Sequence, residues 1–130
     1  MAKLTIHIFT EDANLRENMV QQLNKEKGHK LVLYQNRTAL MDSIDQKPDV
    51  IICDCSLSSK TAQEMLRSVR SSAPEVHIIF LGAKENDQKI LELLNHGTFD
   101  HVIIQPDAIS KIQRVITTIS NFKDETNKNN

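Results

Sequence analysis

Side chains that can do chemistry stand at the ends of two apolar runs in this sequence. Thr10, Glu11 and Asp12 follow the first run, and Asp54 follows the third. Carboxylate oxygens are the ligands that hard divalent cations such as Mg²⁺ prefer. These residues can act together only if the fold brings the ends of the two runs to one place.

A second set of reactive side chains consists of Cys53, Cys55, His77 and His101. Neighbouring strands could bring them together as a soft-metal site, but their spacing matches no zinc motif. The two cysteines lie two apart, so on one strand they point to the same face and are poorly placed to bridge each other. Reduced thiols and buried wall residues are therefore favoured. His7 is interpreted as a core histidine that needs a hydrogen-bond partner.

Composition narrows the class of protein. The chain has 130 residues, 39% hydrophobic and 25% charged, with 16 basic against 17 acidic side chains. A chain of this length can bury a core without disulfides or structural metal, and its near-zero net charge disfavours nucleic-acid binding. Neither a membrane-spanning run nor a signal peptide is visible. One cytoplasmic globular domain with no membrane or nucleic-acid partner is predicted.

Apolar runs alternate with helical patterns along the chain, which is typical of strand–helix units around a parallel sheet. The predicted strands are residues 4–9, 31–34, 50–53, 76–81 and 101–104. The last helix begins after Pro106 and carries Ile109, Ile112 and Ile116 on one face. We expect a domain over residues 1–122, followed by a disordered tail or linker at 123–130, which has no apolar residue.

Five such units predict an α/β fold. Right-handed crossovers make the units wind in both directions from a central strand, and five units are too few for an eight-stranded barrel. The result is a flavodoxin-like, doubly wound parallel sheet in the order 2-1-3-4-5, with the short second strand at an edge. Ligands of such sheets bind at the carboxyl ends of the first and third strands. Glu11 and Asp54 are predicted to lie there.

These strand ends resemble the receiver domain of bacterial two-component response regulators. The resemblance covers roughly residues 3–121 and rests on Asp54 after an apolar run and on Arg16 in the first helix. It implies that Asp54 accepts a phosphoryl group from a histidine kinase. It also implies Mg²⁺ as the cofactor, with oxygen ligands from Glu11, Asp54 and the backbone carbonyl of Ser56.

The sequence departs from the receiver pattern around this site. The family's acidic pair aligns on Thr10 and Glu11, so a hydroxyl replaces one carboxylate, whereas a shifted register would place the pair on Glu11 and Asp12. Gly82 stands at the position of the switch hydroxyl, and Gln105 at that of the lysine. Because phosphoryl transfer depends on positioning and charge neutralisation, at most weak autophosphorylation and weak Mg²⁺ binding are expected.

The resemblance also implies a working surface made by the predicted fourth helix, fifth strand and fifth helix. Its predicted contact residues are Ile90, Leu94, His101 and Lys111. A cis peptide bond is expected between Gln105 and Pro106. Without a hydroxyl at the switch position, this face is expected to keep one conformation and to bind partners regardless of phosphorylation.

The expected function is therefore that of a signalling receiver rather than an enzyme. It would act by docking to a histidine kinase, an output partner or a second copy, with Asp54 as the formal phosphoacceptor. The alternative is a pseudo-receiver that works independently of phosphate. The three glycines stand alone, so no glycine-rich phosphate loop exists, and an unrelated small flavodoxin-like enzyme is a distant third hypothesis.

Overall fold

The structure is a computed structural model that describes residues 3–25, 28–54, 59–73, 75–82, 101–104 and 108–128. The backbone alone is described at residues 54, 59–63, 65, 66, 82, 101–104 and 126–128. Within these ranges the chain forms a parallel sheet with helices packed on both faces.

Five parallel strands form the sheet in the order β2-β1-β3-β4-β5, which confirms the predicted fold class and strand order. The strands are β1 (Thr5–Phe9), β2 (Lys30–Leu33), β3 (Val50–Asp54), β4 (His77–Gly82) and β5 (His101–Ile104). β2 lies at an edge and has no buried residue, as its short and partly polar sequence predicted.

The register of the central strands determines which residues meet at the carboxyl edge. Phe9 of β1 pairs with Cys53 of β3, and Asp54 of β3 pairs with Leu81 of β4. The ends of these three strands are therefore level with one another.

The described helices differ in number from the sequence-based expectation because one predicted helix lies outside the described residues. They are α1 (Ala13–Asn24), α2 (Arg37–Asp42), the 3₁₀ helix η1 (Ser43–Gln46), α3 (Ser59–Ser72) and α4 (Ala108–Lys128). The predicted fourth helix, with Ile90 and Leu94, lies outside the described residues. The predicted fifth helix is therefore α4.

Two apolar clusters cover the two faces of the sheet. On one face, Leu40 of α2 and Val69 of α3 belong to a cluster with Phe80 of β4. On the other, Met19 of α1 and Ile112 of α4 belong to a cluster with strand residues of β1, β3 and β4. Helices on both faces explain why β3 is continuously apolar before Asp54.

The second predicted helix changes type before it ends. α2 stops at Asp42, and η1 continues the turn to Gln46. Lys47 then adopts a left-handed conformation with φ 53° at the C-cap of η1, and Pro48, which disfavours the helical region for the residue before it, follows directly. This connection carries the chain into β3.

Residues 123–128 belong to the segment predicted as a disordered tail or a linker. The structure continues α4 through them as far as Lys128, and Nζ of Lys123 lies 3.0 Å from Oδ1 of Asp49. Composition could not reveal this contact, because it joins two residues that are 74 positions apart in the chain. None of the helices in the described ranges combines the length and apolar character needed to cross a membrane.

Candidate functional site

The carboxyl edge of the sheet brings three predicted site positions together. Thr10 directly follows β1, Asp54 ends β3, and Gly82 ends β4. The register makes Thr10 and Asp54 neighbours across adjacent strands, and it places Gly82 one residue beyond the partner of Asp54. This is the edge at which sheets of this topology bind their ligands.

The turn from β1 into α1 is fixed by two side-chain hydrogen bonds. The backbone N–H of Asp12 donates to Oγ1 of Thr10 at 3.1 Å, and the N–H of Leu15 donates to Oδ1 of Asp12 at 3.0 Å. Asp12 is thus the N-cap of α1, where a carboxylate satisfies an N–H that the helix leaves unpaired. Thr10 is only 1% exposed, so its hydroxyl is a buried group at the end of β1.

The charged residues of this turn lie around Thr10. Glu11 is exposed, in the bend between the strand and the helix cap. Arg16 is half-buried, and its Nη1 lies 3.5 Å from the carbonyl oxygen of Thr10. A carboxylate and a guanidinium therefore flank the end of β1, whereas the position beside Asp54 holds a neutral hydroxyl.

Several predicted residues cannot be placed relative to this edge. Ser56, Gln105, Pro106, Ile90 and Leu94 lie outside the described residues, and so does the expected cis bond. His101 begins β5, where the backbone alone is described, and Lys111 is exposed on α4. The proposed interaction face is therefore described only in part.

The family of this chain follows from its sequence. The sequence model of the response regulator receiver domain matches residues 6–116, which covers most of the chain. The chain belongs to this receiver family. The receiver matches the LuxO regulatory protein of Vibrio vulnificus at 32% identity over 82 residues, which is 62% of this chain but 17% of LuxO. It thus spans about a sixth of the length of that relative.

Solved structures show the same fold at lower identity. A response regulator from Thermotoga maritima superposes with a TM-score of 0.75 at 16% identity, covering 92% of this receiver and 98% of that chain. A member of a family of streptococcal redox sensors that evolved from response regulators gives 0.80 at 20% identity, covering 98% of this receiver and 55% of that chain. Receiver domains are signalling modules that contact kinases and output domains.

The soft-metal reading finds no support in the described part of this receiver. His77 pairs with Val50, three residues before Cys53 on β3. At about 3.3 Å per residue, His77 and Cys53 are about 10 Å apart along the strands. No group of three or more His, Cys, Asp or Glu side chains in the described ranges could hold a metal ion, and Cys55 lies outside those ranges.

The core histidine was predicted correctly. His7 of β1 is fully buried, and its Nδ1 lies 2.8 Å from Oγ of Ser43 in η1 and 3.4 Å from the hydroxyl of Tyr34. Burial, with a smaller contribution from the positive charge of Lys30, lowers the pKa of His7 below its ordinary value of 6.5. The identity of its partners could not be read from the sequence.

Sequence reasoning also missed an open cleft at the carboxyl edge. It has a volume of about 390 Å³ and lies between the first turns of α1 and α4. Asn14 and Asn18 line it from α1, and Ser110 lines it from α4. The i, i+4 spacing of the two asparagines was a visible signal of a shared polar helix face.

Proposed function

We propose that this receiver signals by docking to partner proteins, with Asp54 as the formal phosphoacceptor in a pocket of reduced charge. The observation that supports this most is the residue beside Asp54. Thr10 is buried there, and its hydroxyl oxygen accepts a hydrogen bond from the backbone of Asp12. A position where the family carries a carboxylate is thus a neutral group engaged in the turn.

Phosphoryl transfer in this pocket requires positive charge. An aspartyl phosphate adds negative charge, and its formation depends on cations that neutralise the transferred group. Gln105 offers amide hydrogen bonds without the charge of a lysine, which makes them weaker. The guanidinium of Arg16 is directed to a backbone carbonyl at 3.5 Å.

Mg²⁺ fits the donor set only in part. Glu11, Asp54 and the carbonyl of Ser56 are the oxygen donors that would hold it, and the ion would neutralise charge on an incoming phosphoryl group. Oδ1 of Asp12 is already used by the helix cap. Mg²⁺ needs near-octahedral oxygen coordination at short distances, so a site with a hydroxyl in place of a carboxylate binds it weakly.

The response to phosphorylation is reduced for a second reason. Gly82 ends β4 without a side chain that could close on a phosphoryl group. A ligand shifts a conformational equilibrium only through contacts that differ between the two states. The surface around Ile90, Leu94, His101 and Lys111 then keeps one conformation, and it docks a histidine kinase, an output partner or a second copy in that state.

The alternative is a pseudo-receiver in which Asp54 is never phosphorylated. It is favoured by the same neutral positions, Thr10 and Gly82, and differs only in whether the residual chemistry occurs. Membership of the receiver family removes support from the third hypothesis, an unrelated small enzyme.

Intact mass after incubation with acetyl phosphate and Mg²⁺ separates these proposals. We expect a slow, substoichiometric gain of one phosphoryl group that is absent in Asp54→Asn and kept in Asp42→Asn, a change at an exposed carboxylate on α2. No gain at any time would favour the pseudo-receiver. A fast stoichiometric gain would contradict the pocket of reduced charge.

A further inference from the structure

A hydrogen-bonded network lies inside the apolar core, between β1 and η1. His7 and Ser43 are 0% and 3% exposed. Ser43 Oγ donates to the carbonyl oxygen of Leu40 at 2.6 Å and lies 2.8 Å from His7 Nδ1. The other ring nitrogen of His7, Nε2, is buried and has no hydrogen-bond partner among the described residues.

These contacts determine the tautomer of His7. The single hydroxyl proton of Ser43 is given to Leu40, so at 2.8 Å the serine oxygen must accept from His7 rather than donate to it. We therefore assign the imidazole proton to Nδ1, which leaves Nε2 as a bare lone pair in the core. The Tyr34 hydroxyl lies farther from Nδ1, at 3.4 Å, so the shorter contact with Ser43 decides the assignment.

A second proton could enter only at Nε2. It would create a buried positive charge and an N–H without an acceptor, two costs that a packed core tolerates poorly. Both costs fall if water reaches the ring, because water solvates the charge and accepts from the N–H. The shortest helical segment on this face of the sheet is the ten-residue segment 37–46, formed by α2 and η1 at the sheet edge. We expect it to be the part that moves to let water in.

The groups that face His7 offer no compensating charge. From the β2 side come Tyr34 and the positive Lys30, and from β3 come Ile51 and the thiol of Cys53.

The helices contribute Ser43, and Val69 of α3 belongs to the apolar cluster on this face of the sheet. The charged residues of segment 37–46, namely Arg37, Asp42 and Asp45, are exposed. Among the described residues, therefore, no carboxylate faces the ring that could stabilise an imidazolium.

We propose that His7 is a proton-operated latch: neutral, it holds segment 37–46 on the sheet through Ser43, and protonated, it releases that segment while the rest of the sheet stays folded. The latch is independent of Asp54 and of phosphate. Release of segment 37–46 at low pH makes the sheet edge beside β1 sensitive to acid. β1 in turn leads directly into the turn that begins at Thr10.

The direction of the pH dependence follows from the lowered pKa of His7. The open state binds the proton with an ordinary pKa near 6.5, so the closed latch is fully favoured above that pH. Below it, the opening equilibrium constant rises by up to tenfold per pH unit, until the pH passes the pKa of the closed state.

Tyr34 provides a direct probe, since the chain has one tyrosine and no tryptophan. The ring centroids of Tyr34 and His7 are 5.2 Å apart, so the fluorescence of Tyr34 reports on changes at the His7 ring. Amide hydrogen exchange of residues 37–46, corrected for intrinsic pH effects, reports the release itself. Both are measured from pH 7.5 to 4.5 on the wild type, on His7→Gln, and on His77→Gln as a histidine-matched control.

We expect a transition below pH 6.5 in the wild type and in His77→Gln, with protection of β3 and β4 unchanged, and its loss in His7→Gln. A transition that survives in His7→Gln would overturn the latch, and so would loss of protection in all strands at the same pH. If His7→Gln does not fold, nitrogen chemical shifts of His7 in the wild type decide. A proton on Nε2 at neutral pH contradicts the proposal.

Discussion

Thr10 and Asp54 are neighbours at the carboxyl edge of the sheet, because the residues before them, Phe9 and Cys53, are register partners on β1 and β3. The pair consists of a buried hydroxyl and a carboxylate. Two adjacent carboxylates would repel each other and attract a cation, whereas this pair does neither strongly. The weak chemistry proposed for the site follows from this relationship.

A carboxylate at position 10 is expected to restore metal binding. Thr10→Asp places a charge at a site that is 1% exposed, so the variant loses stability without metal. Mg²⁺ at ten times its Kd would return about 1.4 kcal/mol. Thermal melts with and without Mg²⁺ measure this, with the neutral Thr10→Asn as the control. Equal Mg²⁺ responses in both variants would contradict the placement of Thr10 in the site.

The helix-capping role of Asp12 can be separated from metal binding. Asp12→Ala removes the oxygen that accepts from the N–H of Leu15 and should cost about 1 kcal/mol of unfolding free energy. Urea denaturation measures this loss, with Asp42→Ala as a control, since Asp42 makes no side-chain cap. The response to Mg²⁺ should stay as in the wild type. A lost Mg²⁺ response would instead support the register in which Glu11 and Asp12 form the acidic pair.

Removing the small Ser43 hydroxyl should cost a large amount of unfolding free energy for its size. Ser43→Ala leaves the buried Nδ1–H of His7 without its acceptor at 2.8 Å, which costs about 1–3 kcal/mol. Ser71→Ala, at an exposed position of α3, should be close to neutral. Chemical denaturation at pH 7.5 compares the two. Equal stabilities would mean that Nδ1 does not depend on Ser43.

Removing Lys123 and removing Asp49 should lower the free energy of unfolding by different amounts, although the two residues form one contact. Lys123→Ala removes a partly exposed ion pair and should cost less than about 1 kcal/mol, with faster amide exchange confined to the end of α4. Asp49→Ala should cost about 1–3 kcal/mol, because Oδ2 also accepts from the backbone N–H of Thr5 at 2.8 Å. A larger loss in Lys123→Ala than in Asp49→Ala would contradict this division.

The strand order could be predicted because it depends on repeated local patterns. Five apolar runs separated by helical spacing leave few topologies once crossovers are right-handed. The contacts of His7 and Lys123 could not be predicted in the same way. Each joins residues far apart in the chain, 36 positions for His7 with Ser43 and 74 for Lys123 with Asp49, and a hydroxyl or a lone ion pair leaves no periodic signal.

The candidate site was predictable only at the level of strand ends. The positions of Thr10, Asp54 and Gly82 follow from where the apolar runs stop. That Asp12 would cap α1 through Leu15 depends on backbone geometry after the strand, which an acidic residue near a helix start suggests but does not specify. Gln105 and Ser56 stay predictions, since both lie outside the described residues.

Backbone amide NMR spectra with and without beryllofluoride and Mg²⁺ test whether a phosphoryl group at Asp54 changes the conformation of this receiver. Beryllofluoride imitates a phosphoryl group on an aspartate, so it probes the response of the receiver without requiring the transfer step. We expect shifts confined to residues near Asp54, or none, with Asp54→Asn as the blank. Widespread shifts that reach residues 86–115 would show a working switch and contradict the proposed function.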